Sequence, residues 1–496
     1  SVASEIESFE QHETFRNELA SVAPDGRRRW IYVRQPAGGF YRARTIVSVF
    51  LLTFLFAAPF VRFNGLPLVL LNVLERRFVL FGLIFWPQDF YLVVLIAIGI
   101  LVTLVLSTAT IGRVWCGWLC PQTVFMEMVF RKIEYVIEGS AAQQMRRDRG
   151  PWSADRVWRK ALKHAVFFGL SFVIANVFLA YIIGAETLRT IVTAPPREHL
   201  VGFVAILLFS GVFYAVFARF REQACVLACP YGRVMSSLID RHTITVTYDT
   251  GRGEPRGRLV RGAAARADSD PDAHRGDCVD CFQCVTVCPT GIDIRNGVQL
   301  ECVNCTACMD ACDDVMRRLQ RPRGLIRLTS HEGVSGEPRS GDRGRWHWLT
   351  PRIAAYATVW FVLVFSVSGL VAARPDLDIL ILRQAGALFG AENNGEIVNL
   401  YTVQVFNRAG ATRHLDITVQ SPQGAKITLL GPLTEVAPYA LQEGRVLVSV
   451  PKGRLAGPVT PLRFEVRADR GPVQAIQSSL VGPGGMSAPV AREESK

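Results

Sequence analysis

The sequence predicts a membrane α-helical protein with five transmembrane helices, a cysteine-rich insert before the fifth of them, and a β-sandwich at its C-terminal end. Three observations carry that expectation. Half of the 496 residues are hydrophobic, many gathered in uninterrupted runs near the roughly 20 residues that a bilayer requires of a helix. Eight cysteines fall between Cys278 and Cys312. Beyond residue 374 the apolar runs give way to short alternating segments separated by Gly, Pro and Asn, the pattern of strands and turns. A mean hydropathy of +0.23 with a net charge of +12 excludes an ordinary soluble globule.

The apolar runs cover 45–61, 90–110, 165–183, 200–218 and 353–373. Five spans place the two ends of the chain on opposite sides of the membrane. A further apolar stretch, 66–86, is broken by Asn72, Glu75, Arg76 and Arg77; these charges are costly at mid-bilayer depth, so the stretch is read as re-entrant or interfacial. Orientation follows from Lys and Arg in the short loops. Seven arginines precede the first run and nine Lys or Arg occupy 111–162, whereas 184–199 holds only Arg189 and Arg197. The N-terminus, loop 111–162 and the insert are therefore expected in the cytoplasm, and the part after the fifth span in the periplasm if the cell is Gram-negative. The polar first 40 residues make the first run an anchor and not a cleaved signal. Basic loops facing membrane lipid account for the net charge, and no aromatic-interleaved basic module points to nucleic acid.

The eight cysteines form two runs, Cys278-x2-Cys281-x2-Cys284-x3-Cys288-Pro289 and Cys302-x2-Cys305-x2-Cys308-x3-Cys312. This is the ligand pattern of a two-cluster bacterial ferredoxin, in which the fourth cysteine of each run serves the other 4Fe-4S cube. The expected sets are Cys278, Cys281, Cys284 and Cys312 for one cluster and Cys302, Cys305, Cys308 and Cys288 for the other. A zinc ribbon also uses Cys-x2-Cys pairs, but two triplets exceed what tetrahedral zinc requires. Asp313 follows the last cysteine where the doubled motif often has proline, which puts the local turn in question. All twelve cysteines lie at or before Cys312, on the reducing side of the expected topology, and are read as ligands and not disulfides.

The other four cysteines repeat one motif, Cys116-Gly117-Trp118-Leu119-Cys120-Pro121 after the second span and Cys225-Val226-Leu227-Ala228-Cys229-Pro230 after the fourth. Cysteines four apart share a helix face, so the two pairs are expected to converge at the membrane surface, where soft thiolates favour Cu(I), zinc or an iron-sulfur centre. Plain packing is the alternative. Met126, Met128 and Met235 follow closely enough to add thioether ligands, although core filling is the commoner use. His164 is read as an interfacial histidine held by water or headgroups, with metal or haem ligation the sharper option. Glu127, Glu134 and Glu138, beside Arg131 and Lys132, suggest a solvated amphipathic helix. No Ser-His-Asp set, phosphate loop or catalytic carboxylate pair stands out.

These readings divide the chain into an N-terminal arm 1–44, a four-helix membrane region 45–218, a cytoplasmic region 219–351 holding the ferredoxin domain at about 270–325, the fifth transmembrane helix 352–373 and a C-terminal domain 374–496. The arm is expected to be partly ordered. Segments 248–277 and 330–345, rich in Gly, Arg and Asp, are expected to be loose tethers that let the insert swing or dock. Strand-like segments at 397–406, 415–419, 426–430, 445–450 and 462–466 point to an immunoglobulin-like β-sandwich used for docking or architecture. From Gly482 onward the chain is expected to fray.

Four segments together carry a resemblance: Cys116-Gly117-Trp118-Leu119-Cys120-Pro121-Gln122-Thr123, Asn72-Val73-Leu74-Glu75-Arg76-Arg77-Phe78, Cys288-Pro289-Thr290-Gly291-Ile292-Asp293-Ile294-Arg295 and Pro322-Arg323-Gly324-Leu325-Ile326-Arg327. They resemble the CcoG family of cytochrome c oxidase accessory proteins, also called FixG or RdxA, over nearly the whole chain. The resemblance implies an inner-membrane polyferredoxin that assists assembly of the C-family haem-copper oxidase by reducing Cu(II) to Cu(I), with a C-terminal immunoglobulin-like domain. In that family the Cys-x3-Cys-Pro pairs are implicated in copper handling, so cupric reductase chemistry is expected at Cys116, Cys120, Cys225 and Cys229. A cytoplasmic electron donor, and oxidase assembly factors or a copper transporter, would be its partners. Two other classes stay open: a quinol-linked electron-transfer subunit, and a non-enzymatic copper-binding assembly factor.

Overall fold

The computed structural model describes residues 21–22, 25, 27–258, 276–330, 332–335, 350–384, 390–391, 396–469 and 473–482. Five helices are long and apolar enough to cross a membrane: Gly39–Ala57, Pro87–Ile111, Ala154–Ile183, Leu200–Phe220 and Pro351–Ala372. The first starts before the apolar run because Asp310 caps it. Its carboxylate accepts from the backbone N–H of Phe40 at 3.2 Å and of Tyr41 at 2.7 Å, satisfying donors that a helix start leaves open. The third span is 30 residues long, more than a bilayer needs. Its opening turns carry Arg156, Arg159, Lys160 and Lys163, and the Ser153 side chain caps its start.

The stretch 66–86 is neither helical nor a sixth span: it runs as short strands, Val69–Asn72, Arg77–Leu80 and Leu83–Phe85. The Asn72 side chain accepts from the Glu75 N–H at 2.9 Å, turning the chain where its charges would stop a spanning helix.

One expectation about a polar segment needs correction. The helix Arg131–Glu138 is no solvated face, for Glu127, Arg131, Glu134 and Glu138 are all buried. Glu127 pairs with Arg131. Glu134 meets Arg221 at 2.7 Å and Lys163 at 3.3 Å, and Lys163 also holds Glu138 at 2.9 Å. Burial alone would raise the Glu134 carboxyl, but Arg221, Lys163 and Arg131 outweigh it and hold the group below the ordinary range. The i,i+4 spacing expected of a solvated pair fits a buried network equally well, because spacing reports neighbours and not solvent. The described part of the arm is likewise bound. Arg28 pairs with Glu222 at 2.8 Å, the Tyr135 hydroxyl donates to the Val33 carbonyl at 2.9 Å, and the Arg34 N–H donates to the Thr286 carbonyl at 2.8 Å.

The described ends of the insert are held in place. The strand Thr245–Tyr248 pairs antiparallel with Ile326–Thr329 and closes its base, and Arg252 pairs with Asp277 at 2.5 Å. Most of the exit tether, like 259–275, lies outside the described residues.

The C-terminal region is a sandwich. One sheet orders Lys426–Leu430, Leu441–Pro451, Glu396–Asn407 and Leu377–Arg383; the other orders Glu435–Val436, Arg413–Ser421, Val459–Ala468 and Gln474–Val481. Alternate residues point inward, so Val403, Val405, Val446, Val448, Leu462 and Phe464 form the core, as period-two strands require. Tyr401 meets Phe464 edge-on at 5.4 Å and donates its hydroxyl to the Ser479 carbonyl at 2.9 Å, as a buried phenol must. The first and last strands, 377–383 and 474–481, escaped the sequence pattern. The segment beyond Gly482 lies outside the described residues.

Candidate iron-sulfur and thiol site

The two ferredoxin runs fold into the same local shape. Asp280 and Phe282 flank Cys281 with φ of 50° and 54°, and Asn304 and Thr306 flank Cys305 with φ of 52° and 63°. Left-handed backbone is uncommon for such residues and bends each run into a cup. The first cup and its partner cysteine line one cavity: Cys278, Cys281, Cys284 and Cys312, closed by Tyr248, Met316 and Ile326. The second lines another: Cys288, Cys302, Cys305 and Cys308, with Cys284 also on its wall. Each has a cavity volume of about 20 Å³. The fourth cysteine of each run thus faces the other run's cavity, as the crossed ligand pattern requires.

The thiol chemistry fits a cationic group in both cavities. Burial pushes Cys284, Cys302 and Cys312 up to about 12 and Cys305 up to about 11. Such thiols stay protonated at neutral pH unless a metal takes the proton's place. Four cysteines of the two runs line each cavity, the number of thiolates that a 4Fe-4S cube takes. The proline missing after Cys312 has a structural consequence: the helix Ala307–Arg318 continues through that cysteine, and Asp313 accepts from the Gly324 N–H at 2.9 Å.

The two Cys-x3-Cys-Pro copies share one conformation, and it is not the plain α-helical face that their spacing suggested. In each, a π-turn, Trp115–Leu119 or Ala224–Ala228, ends at an extended cysteine, and the proline then starts a helix. The Cys120 N–H donates to the Trp115 carbonyl at 2.8 Å and the Cys229 N–H to the Ala224 carbonyl at 2.9 Å. Single π-turns mark functional positions in many helices. The four thiols neighbour one another: burial raises Cys116 and Cys225, the latter to about 12, and the other cysteines of the set add to the rise. They are not gathered to single-ion distance.

The first copy packs on the second cluster cup. Cys116, Val287, Val303, Cys305 and Ala307 form one buried group, and Gly117 lies so close that an added Cβ would stand 2.9 Å from the Cys305 Cα and press on the Val303 carbonyl. Arg44 donates to the Gly117 carbonyl at 2.7 Å, and Arg113 donates to the Leu300 carbonyl. Sequence reasoning passed over Gly117, Arg44 and Arg113. The only available signal was two arginines bordering apolar spans.

The weaker candidates resolve into packing. Met126 joins an aromatic core with Phe125, Phe130 and Phe167, the Met128 sulfur receives the Thr45 hydroxyl at 3.8 Å, and Met235 is buried. The His164 Nδ1 is bonded to the Tyr214 hydroxyl at 2.8 Å.

Five apolar helices joined to paired cysteine cavities define a membrane-bound iron-sulfur electron-transfer protein, and comparison with known proteins agrees. Residues 220–331 match a 4Fe-4S dicluster domain, 92–136 a 4Fe-4S binding domain, and 367–483 the IG-like fold at the C-terminal of FixG, putative oxidoreductase. The chain is 34% identical to Protein RdxA of Cereibacter sphaeroides, over 91% of this chain and 97% of that one. It is 32% identical to Nitrogen fixation protein FixG of Rhizobium meliloti over 87% and 88%, and 31% identical to Protein RdxB of C. sphaeroides over 89% and 92%. The chain belongs to the FixG/RdxA family.

Proposed function

We propose that this protein carries electrons from a cytoplasmic donor to Cu(II) held at Cys116, Cys120, Cys225 and Cys229, and that the Cu(I) so formed serves assembly of a C-family haem-copper oxidase. Cys278, Cys281, Cys284 and Cys312 would hold the first 4Fe-4S cluster, and Cys302, Cys305, Cys308 and Cys288 the second. When bound, such clusters supply one-electron carriers, which suits a one-electron change at copper. The observation that carries the reading is the contact of Gly117 with Cys305: the loop that grips the second cluster lies directly against the first thiol pair. Cys281 is exposed and marks the entry side, whereas Cys305 is buried and faces the copper side. Thiolates favour Cu(I) over Cu(II), so the pairs would draw the reduced ion as it forms. In this reading the N-terminus and the clusters lie in the cytoplasm and the sandwich in the periplasm of the inner membrane, as the arginine distribution supports. Oxidase assembly factors or a copper transporter would receive the ion. Mixing anaerobically reduced protein with Cu(II) and following cluster absorbance tests the reading, since a scaffold would bind metal without losing electrons.

One observation favours a second reading. The 4Fe-4S binding domain match at 92–136 spans Cys116 and Cys120, so the four thiols would hold a third iron-sulfur centre in a quinol-linked carrier. Iron content per chain separates the two.

A further inference from the structure

The two cavities differ in the charge beside them. At the first, Arg295 lies in the wall but is neutralised, pairing with Asp293 and with Asp280 at 2.6 Å each. At the second, two guanidiniums are buried without such neutralisation. Arg44 is 2% exposed and Arg113 3%, and among the described residues neither has a carboxylate at ion-pair distance. Arg44 spends its Nε on the Gly117 carbonyl and leaves Nη2 unpartnered; Arg113 reaches the Leu300 carbonyl and leaves Nε unpartnered. Arg113 also stands 3.0 Å from where a Gly232 Cβ would be, against the second thiol motif. An isolated buried charge is costly unless an opposite charge compensates it. Arg44 reaches the second cup through Gly117, which is packed on Cys305, and Arg113 through the carbonyl of Leu300, two residues before Cys302 and next to the buried Glu301.

We propose that Arg44 and Arg113 are positioning residues that hold the second cluster at a higher reduction potential than the first, so that electrons settle beside Cys116 and not at the exposed Cys281. The inference rests on the cluster assignment above, not on copper. Reduction adds one negative charge to a cube already bounded by four thiolates, and an uncompensated cation nearby stabilises that added charge. Burial of the second cluster works the other way, because a dry site disfavours the more negative form. The same dryness strengthens each guanidinium, because a charge acts over a longer range where the dielectric is low. In the onward step one electron leaves the second cluster and enters Cu(II), giving Cu(I).

The test is a copper-free redox titration of the purified full-length protein in nanodiscs, followed by electron paramagnetic resonance. Cys281→Ala, which removes a ligand of the first cluster, identifies which signal belongs to the second. In wild type the second cluster should titrate higher. Arg113→Gln and Arg44→Gln should each lower it by about tenfold in the reduction equilibrium, about 59 mV for one electron, and leave the first cluster in place. Arg113→Lys and Arg44→Lys, which keep the charge and lose the fork, should stay near wild type. Should a glutamine variant shed iron, its lysine counterpart decides, a wild-type potential supporting the charge role and a fall overturning it. A second cluster at or below the first in wild type, or unmoved potentials in both glutamine variants, overturns the inference alone. Wild-type protein without two reducible clusters overturns it together with the cluster assignment.

Discussion

Gly117 and Cys305 lie backbone to backbone: a methyl group on Gly117 would stand 2.9 Å from both the Cα and the N of Cys305. The residue next to the Cys116 thiol is thus packed on Cys305, with no side chain between them. Gly117→Ala should push the cluster loop away, at about 1–3 kcal/mol for an overpacked site. Iron content should hold near wild type while electron delivery to Cu(II) slows. Equal delivery rates in the variant would show that this contact is not the route.

The cluster assignment predicts iron stoichiometry. Anaerobically purified protein should carry about eight iron and eight sulfide per chain. Cys281→Ala and Cys305→Ala should each lose about half of the iron, from different clusters, as read by iron assay and electron paramagnetic resonance. Zinc as the main metal in wild type would contradict the assignment.

Glu134 should be a buried keystone. Glu134→Gln leaves Arg221 and Lys163 short of a counter-charge, which costs about 3–5 kcal/mol when one partner of a buried pair is removed. The pH dependence has a definite sign. The folded-state pKa is held below the ordinary 4.5, so as pH falls the unfolded chain takes up this proton first. The contribution is complete above about pH 4.5 and fades as pH drops through the folded value. Urea unfolding of the detergent-solubilised protein should show that loss in wild type and lack it in Glu134→Gln.

Orientation is checked by reporter fusions. Fusion after Ser330 should behave as cytoplasmic and fusion after Ala373 as periplasmic, because one span, Pro351–Ala372, separates them. Same-side behaviour would contradict the arginine argument.

Much of this was legible in the sequence. The spans follow from hydropathy alone, and the doubled cysteine spacing indicated both cavities, because ligand geometry fixes spacing tightly. Other features lay beyond it. Glu134 and Glu138 have the spacing of a surface pair, and only the arrival of Lys163 and Arg221 from distant positions shows them buried. Strand 377–383 was missed because its outward residues Leu380 and Leu382 are apolar too, which blurs the alternation, and 474–481 because its more buried side carries Gln474 and Ser478. The π-turns at Cys116 and Cys225 leave no mark on composition. Gly117 reads as an ordinary motif residue until Cys305, far along the chain, is placed against it.

The central claim is that electrons pass from the clusters to copper at the two thiol pairs. Anaerobic stopped-flow mixing of reduced protein with Cu(II), in wild type and in Cys116→Ser/Cys120→Ser and Cys225→Ser/Cys229→Ser variants, tests it most directly. The account predicts rapid cluster reoxidation with Cu(I) formed in wild type, and intact clusters with reoxidation at least about tenfold slower in both double variants, since serine is a harder and weaker donor for copper. Wild-type rates in either double variant would contradict it, and loss of about four iron per chain from those variants would assign the thiols to a third cluster.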